Sequence, residues 1–401
     1  MGDPDRRSSP ARLTSFDADL KLIHWLGYWG STDKKNRSRS AILLLLFVFF
    51  IIPLLLSLVD LMLKKQYVKA SRNAGELVTF CMDLCSITVI IIRKRKFVQA
   101  LDKFQIIFEK LMEEEDPIPK KMLGKIENLS KNISVLMERI MGSTGFLYCC
   151  APFLYTLFCV NILYSDPVPF PTGIEVNFYY INIQSNVWLY SFYMMVIIPV
   201  TWIITISIGV KDTLFINIFN HCTMNFRILM HKINQLKTIS DVEVNTHLKN
   251  LVDLHSHSFE CVGILNDSIN VDLLAHYLGS SAILCLNMLV FTEVELNGFM
   301  VLRLAIMFMH AAWGITVFAW LGERLALAGS EVAEAIYETE WYDKPIHVQK
   351  ALMMMLQRGQ TNPGVMVGKF FESNNEGLKR ATNAVYSFFL FIKHVYGRID
   401  G

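Results

Sequence analysis

The hydrophobic positions of this chain fall into long blocks with few or no charges, separated by polar helical stretches, and these blocks set its organisation. Ala41 to Val59 carries no charge and is rich in Leu and Phe, about the 20 apolar residues that a helix needs to cross a bilayer. Further blocks run from about Glu76 to Ile92, Gly142 to Ser165, Val187 to Val210, Val271 to Thr292 and Leu302 to Leu321. Between Phe97 and Ile140 the pattern changes. There Phe97, Leu101, Phe104, Ile107, Phe108 and Leu111 recur at helical spacing beside the acidic run Glu113 to Asp116, which predicts an amphipathic helical hairpin outside the membrane. A second polar helical pair is predicted between Lys211 and Asp267.

The last apolar block is different. Ala381 to Ile392 is uncharged but fenced by Lys379 and Arg380 on one side and by Lys393 and His394 on the other, too short to face lipid across a whole bilayer. Protein neighbours would relieve that limit by surrounding its polar ends, so it is expected to be an inner helix of an oligomer and a candidate pore wall. With it the expected fold is an all-α membrane protein of seven transmembrane helices.

Orientation follows from the basic residues. Lys34, Lys35, Arg37 and Arg39 precede the first block, and Arg93 to Lys96 follow the second; both clusters mark a cytoplasmic side. Lys64, Lys65 and Lys69 fall on the opposite side and are outweighed by the two clusters. A cytoplasmic amino terminus and seven crossings put the carboxyl terminus outside, the inverse of a G-protein-coupled receptor. The segment 1–40 is then a cytoplasmic amino-terminal segment, followed by a six-helix transmembrane unit over 41–322 with cytoplasmic extensions at 97–140 and 211–267.

Composition agrees with this class: 53% of residues are hydrophobic and 18% charged, and a net charge of +2 gives no electrostatic footprint for a nucleic-acid partner. Asp3, Asp5, Arg6 and Arg7 open a polar stretch with no early apolar core, so no cleavable signal peptide is expected. Trp25 to Gly30 is aromatic and broken by glycine, which fits a segment lying at the membrane surface or a loop with buried tryptophans. An outer loop is expected at Asp166 to Glu175, with Pro167, Pro169 and Pro171, continuing through Phe178, Tyr179 and Tyr180. The glycosylation sequons at Asn36, Asn128, Asn132 and Asn266 all fall on the predicted cytoplasmic side, so none is expected to be used. None of the eight cysteines lies in a predicted outer loop, and no structural disulfide is expected.

The candidate chemistry is sparse. His221, His231, His247, His255 and His257 cluster in the second polar pair, but their spacing completes no tetrahedral set; they are expected to be surface residues and no metal or cofactor is implied. Asp83, His276 and His310 are ionisable groups at membrane depth. Such groups face a cavity with a functional role or satisfy a polar group on a neighbouring helix, and the second account is the simpler. No catalytic triad, zinc motif or phosphate loop is present, so the chain is not expected to be an enzyme. The outer halves of spans two, three, four and six bring Phe80, Cys81, Cys149, Pro152, Phe153, Thr156, Met194, Met195, Ile198, Leu304 and Phe308, a mixture suited to an apolar pocket for a small volatile ligand or to plain helix packing.

The carboxyl-terminal region carries a run of features in order: Ile336-Tyr337-Glu338, Trp341-Tyr342, Leu356 to Gln360, Met366 to Phe371, and Tyr386 to Lys393. Together these resemble the signature of insect odorant receptors. The resemblance implies a four-subunit, ligand-gated, non-selective cation channel in the plasma membrane of an olfactory neuron dendrite. Residues 323–375 would be cytoplasmic anchor helices where subunits meet, and 376–401 the pore-lining terminal helix, with Ser387, Phe391 and Val395 on the pore side. The moderate second polar loop resembles that of a tuning subunit rather than the longer co-receptor, so the partners implied are the odorant receptor co-receptor, a small hydrophobic volatile odorant and membrane lipid. A gustatory receptor shares the architecture but ends in a different aromatic and threonine-rich signature, and a G-protein-coupled receptor needs an external amino terminus.

Overall fold

The computed structural model describes residues 13–28, 34–162, 187–239, 243–293, 298–361 and 363–399. The outer loop expected from Asp166 through Tyr180 and the segment 294–297 lie outside them. The protein is nearly all helix: α1 (Asp17–Leu26), α2 (Lys34–Leu63), α3 (Tyr67–Glu113), α4 (Pro117–Ile162), α5 (Val187–Gln235), α6 (Val244–Glu293), α7 (Gly298–Tyr337), α8 (Ile346–Gly359) and α9 (Asn375–Ile399). A short 3-10 turn at Trp341–Asp343 precedes α8, and the two-residue strands β1 (Met366–Val367) and β2 (Phe371–Glu372) form an antiparallel hairpin before α9.

The apolar blocks and polar extensions that the sequence separates are continuous helices here. Among the described residues, five helices are long and apolar enough to cross a membrane, within Ser38–Leu63, Tyr67–Glu113, Trp188–Gln235, Val244–Thr292 and Met300–Tyr337. The block at Arg93 to Lys96 does not interrupt α3, because its charges are answered from α6. Arg93 bonds the Asp267 carbonyl and, at 2.7 Å, Asn270 Oδ1; Lys96 meets Asp267 at 2.7 Å and Lys103 meets Glu260 at 2.7 Å. Such exposed pairs add about 0–1 kcal/mol each, so they set register more than stability. Apolar packing does the rest: Phe97 of α3 stacks on Phe215 of α5 at 5.7 Å, and Phe318 of α7 closes on Phe215 and Phe219.

The polar extensions form a bundle whose core is continuous with that of the spans, and this corrects the expectation of surface histidines. His221 is buried between Phe16 and Phe104, and His255 packs on Phe259. Burial pushes His221 down to about 3 and His255 down to about 4, the latter with help from the Arg358 charge. Only the periodicity of the flanking apolar positions carried this information, because a histidine on the inner face of an amphipathic helix looks the same in sequence as one on the outer face. His257 does stay half-exposed, and His231 pairs with Asp116 at 2.9 Å.

Helix α1 is sewn onto this bundle by polar contacts. Leu13 N donates to Gln105 Oε1 (2.9 Å), Thr14 N to Glu127 Oε1 (2.8 Å), and Ser15 Oγ lies 3.0 Å from His221 Nε2. Gly27 ends the helix with φ 83°, where a Cβ would strike Arg39 and Ser40. Trp25 remains exposed while Leu26 and Tyr28 are buried.

Asp19 is fully buried on α1, held by Asn217 Nδ2 at 2.8 Å. Burial raises its carboxyl to about 7, against the lowering effect of the Asn217 and Ser134 hydrogen bonds. Its pKa in the folded protein lies above the ordinary 3.8, so the folded state holds the extra proton between about pH 4 and pH 7. Stability therefore falls as pH rises through that window. We expect the protection factors of the α1 amides, that is, exchange corrected for its intrinsic base catalysis, to be lower at pH 8 than at pH 6, and Asp19→Asn to abolish that difference; equal protection at both pH values in the wild type would contradict it.

The carboxyl-terminal hairpin is clipped between α6 and α7 and aims α9. Met366 N donates to Asn266 Oδ1 (2.8 Å) and Gly368 N to the Asn270 carbonyl (2.8 Å), both on α6. Ser373 Oγ donates to the Phe318 carbonyl of α7 (3.0 Å), and Asn375 N to Glu323 Oε2 (3.1 Å). Asn374 Oδ1 then caps α9 by accepting Gly377 N at 2.8 Å. Between α8 and α9 the segment expected as anchor helices thus contains this hairpin.

Candidate functional site

Where α3, α4, α5 and α7 meet, a cavity of about 120 Å³ lies within the spans. Spacings of three and four residues put one face of each helix on it: Glu76, Thr79, Phe80 and Asp83 from α3; Met141, Thr144, Gly145 and Tyr148 from α4; Thr201, Ile204, Thr205 and Ile208 from α5; Ile306, Met307 and His310 from α7. Its walls are mostly apolar, with a polar side built from Glu76, Asp83, Thr201 and His310. Glu76 is tied to its surroundings, since Tyr148 Oη donates to its Oε1 at 2.9 Å and the Arg303 guanidinium of α7 pairs with it.

The sequence-predicted pocket residues distribute over several places. Phe80 lines the cavity. Phe153, Met194 and Ile198 come together with Tyr190 in a small separate apolar cluster. Leu304 is buried, whereas Cys81, Met195 and Phe308 are exposed. Cys149, Pro152 and Thr156 belong to α4, with side chains outside the described residues. Sequence reasoning missed Glu76, Thr79, Tyr148, Thr201 and Met307, since Glu76 reads only as the edge of an apolar block. Asp83 and His310, ionisable groups at membrane depth, both line the cavity. His276, the third of that group, instead meets Lys211 Nζ of α5 through its Nε2 at 2.5 Å, while its Nδ1 is buried without a partner among the described residues.

Terminal helix α9 is two-sided. At about 100° per residue, Leu378, Ala381, Val385, Phe389 and Ile392 share one stripe, and α9 packs against α6 and α7. The opposite face carries Arg380, Asn383, Ser387, Phe391 and His394, all exposed. Ser387 and Phe391 thus point away from the packing stripe, and the Val395 side chain lies outside the described residues.

With this geometry in hand, comparison with known proteins is decisive: residues 66–378 match the family model described as 7tm Odorant receptor. The chain belongs to the 7tm odorant receptor family. It is 24% identical over 307 residues to Odorant receptor 30a of Drosophila melanogaster, covering 75% of this chain and 76% of that one. The Odorant receptor coreceptor of Anopheles gambiae is 25% identical over 161 residues, 40% of this chain and 33% of the coreceptor. Among solved structures, the olfactory receptor OR5 from Machilis hrabei, determined in complex with eugenol, superposes with a TM-score of 0.77 at 16% identity, over 95% of this receptor and 97% of that chain. The receptor is accordingly a multi-pass membrane protein of the odorant receptor fold, and not an enzyme.

Beside the cavity, the receptor buries a charged seam where α5 and α6 meet. Lys211, Asp212, Asp272 and His276 are all buried, with Lys211 Nζ 3.2 Å from Asp212 Oδ1 and His276 Nε2 3.8 Å from Asp272 Oδ2. Asp83 of α3 lies within electrostatic reach of Lys211, Asp212 and Asp272, so the cavity's polar side is continuous with this seam.

Proposed function

We propose that the receptor is a tuning subunit: it binds a small hydrophobic volatile in the cavity between α3, α4, α5 and α7 and gates a non-selective cation channel built with the odorant receptor co-receptor. The observation that carries this reading is the two-sided terminal helix. Phe391 is 65% exposed and Phe388 63% on a helix that also presents Asn383, Ser387 and His394, a mixture suited to neither lipid nor a closed core. Neighbouring subunits around a shared aqueous path satisfy both demands, with Ser387, Phe391 and His394 facing the path and Phe388 facing protein.

In this reading the amino terminus is cytoplasmic, 323–375 holds the subunits together, and four subunits close the pore in the plasma membrane of an olfactory dendrite. The family relationship to coreceptors supports the partner. Ligand binding acts by stabilising the open arrangement over the closed one, through contacts that differ between the two.

The test is odour-evoked current in cells expressing the receptor with and without the co-receptor; current from this chain alone would exclude the tuning role. Phe391→Ala is expected to leave expression intact while raising ligand-independent leak or changing ion permeability severalfold, because it removes an apolar side chain from the constriction. Unchanged conduction in that variant would remove α9 from the pore.

A further inference from the structure

The cavity's apolar walls and its polar side make different demands on a ligand, and the polar side is unfinished. Asp83 Oδ1, Glu76 Oε2, Thr201 Oγ1 and His310 Nε2 are buried and have no hydrogen-bond partner among the described residues. They come from three helices and line one space, and Asp83 and Glu76 are each 2% exposed. A buried carboxylate oxygen without a donor carries its full desolvation penalty. Neither carboxylate lacks a positive neighbour, since Arg303 pairs with Glu76 and Lys211 lies near Asp83. What is missing is a neutral donor.

We infer that the cavity selects small ligands bearing a hydroxyl group, whose O–H is received by Asp83 Oδ1 while Thr201 and His310 complete the contacts to its oxygen. Ammonium ligands are disfavoured, because the apolar walls cannot replace the water stripped from a cation and both carboxylates already face one. Size follows from the volume: a cavity of about 150 Å³ in an unrelated protein takes benzene, so 120 Å³ suits roughly one ring or a short chain. A hydroxyl can take the place of a water at the polar side without loss, whereas an ether cannot. This inference rests on the cavity being the ligand site of the proposed channel.

The experiment uses the receptor assembled with its co-receptor and four probes: benzyl alcohol, benzyl methyl ether, benzaldehyde and benzylamine. Affinity is read twice, as ligand-induced thermal stabilisation of the purified complex and as evoked current. The alcohol is expected to bind at least about tenfold more tightly than the ether, a margin of about 1.4 kcal/mol, and more tightly than the amine. Asp83→Asn, which supplies a donor in place of the carboxylate, should move the preference from alcohol toward aldehyde, a reversal that mere loosening of the fold would not produce. Thr201→Val, which breaks no hydrogen bond within the described receptor, should shrink the alcohol-to-ether ratio severalfold and keeps the test decisive if Asp83→Asn does not reach the membrane. Equal affinity for alcohol and ether, tighter binding of the amine, or binding of none of the four overturns the inference. Alcohol-selective stabilisation without current would uphold it and count against the channel reading instead.

Discussion

Replacing Arg303 with methionine is expected to cost about 3–5 kcal/mol and to remove most of the receptor from the cell surface. That is the usual penalty for leaving a buried charge without its partner, set against a total stability of roughly 5–15 kcal/mol for folded domains. Arg303 is 4% exposed and Glu76 2%; their pairing joins α7 to α3, and Tyr148 adds α4 through its 2.9 Å bond to Glu76 and the 5.8 Å approach of the Arg303 guanidinium to its ring. Three of the four helices around the cavity meet at this one contact. The double variant Arg303→Met/Glu76→Gln should recover much of the loss, since a neutral polar group costs far less to bury than an unpaired carboxylate. Thermal melting in detergent and surface labelling give the comparison. A melting temperature in Arg303→Met equal to wild type would mean that Glu76 finds another cation, and the claim that this pair organises the cavity would fail.

How far such contacts could be foreseen depends on which kind of information each residue carries. The apolar block at Ala41 to Val59 announces α2 because every residue repeats the same message, and the recurrence of Phe97, Leu101, Phe104, Ile107, Phe108 and Leu111 announces the inner face of α3 for the same reason. Five of these six are buried in the bundle core and Leu101 packs against it. Periodicity also places the turn at the acidic run, where Asp116 Oδ1 accepts Ile118 N at 2.9 Å. Helix length is less legible: charged blocks look like boundaries, yet α3 runs unbroken through Arg93 to Lys96 because α6 answers the charges.

The cavity was only half legible, for a physical reason. Apolar and aromatic positions are common to every face of a membrane helix, so Met195 and Phe308, which lie exposed, could not be told from Phe80, which lines the cavity. Depth alone does not give azimuth. Ionisable groups are the exception, because lipid excludes them: Asp83 and His310 stand out at depth for that reason, yet packing against a neighbouring helix is their simpler reading in sequence, and only the structure sets both on the cavity. Glu76 and Arg303 carried the same signal and were overlooked at the ends of apolar blocks. Asn266 teaches the complementary lesson: it reads as a sequon, yet its carboxamide oxygen holds Met366 N, so its role is to seat the hairpin that precedes α9.

Gly322→Ala is expected to abolish ligand-evoked current. A Cβ at Gly322 would overlap the Ser373 carbonyl oxygen, and because the obstacle is backbone, no change of rotamer relieves it. Ser373 is fixed by three further contacts, its N donating to Val365 O at 2.7 Å, its Oγ to Phe318 O at 3.0 Å, and Tyr277 Oη lying 3.3 Å from the same Oγ. Two turns further along α7, Gly329 faces the ring of Pro363, so the two glycines, seven residues apart and on one face of α7, form a groove for the segment that leads into α9. The extra methyl must therefore lift the hairpin from α7 and with it the Glu323 contact to the start of α9, which severs the short connection between the cavity wall on α7 and the terminal helix. Gly263→Ala on α6, where an added Cβ meets nothing within 4 Å, is the control and should be neutral or stabilising by up to about 1 kcal/mol. Protease sensitivity of the 360–375 segment separates the two outcomes from simple loss of expression: it should rise in Gly322→Ala and stay at the wild-type level in Gly263→Ala. Normal current from Gly322→Ala, with its tail as protected as in the wild type, would show that α9 takes its position from elsewhere, and the route from cavity to pore would have to be sought through α6.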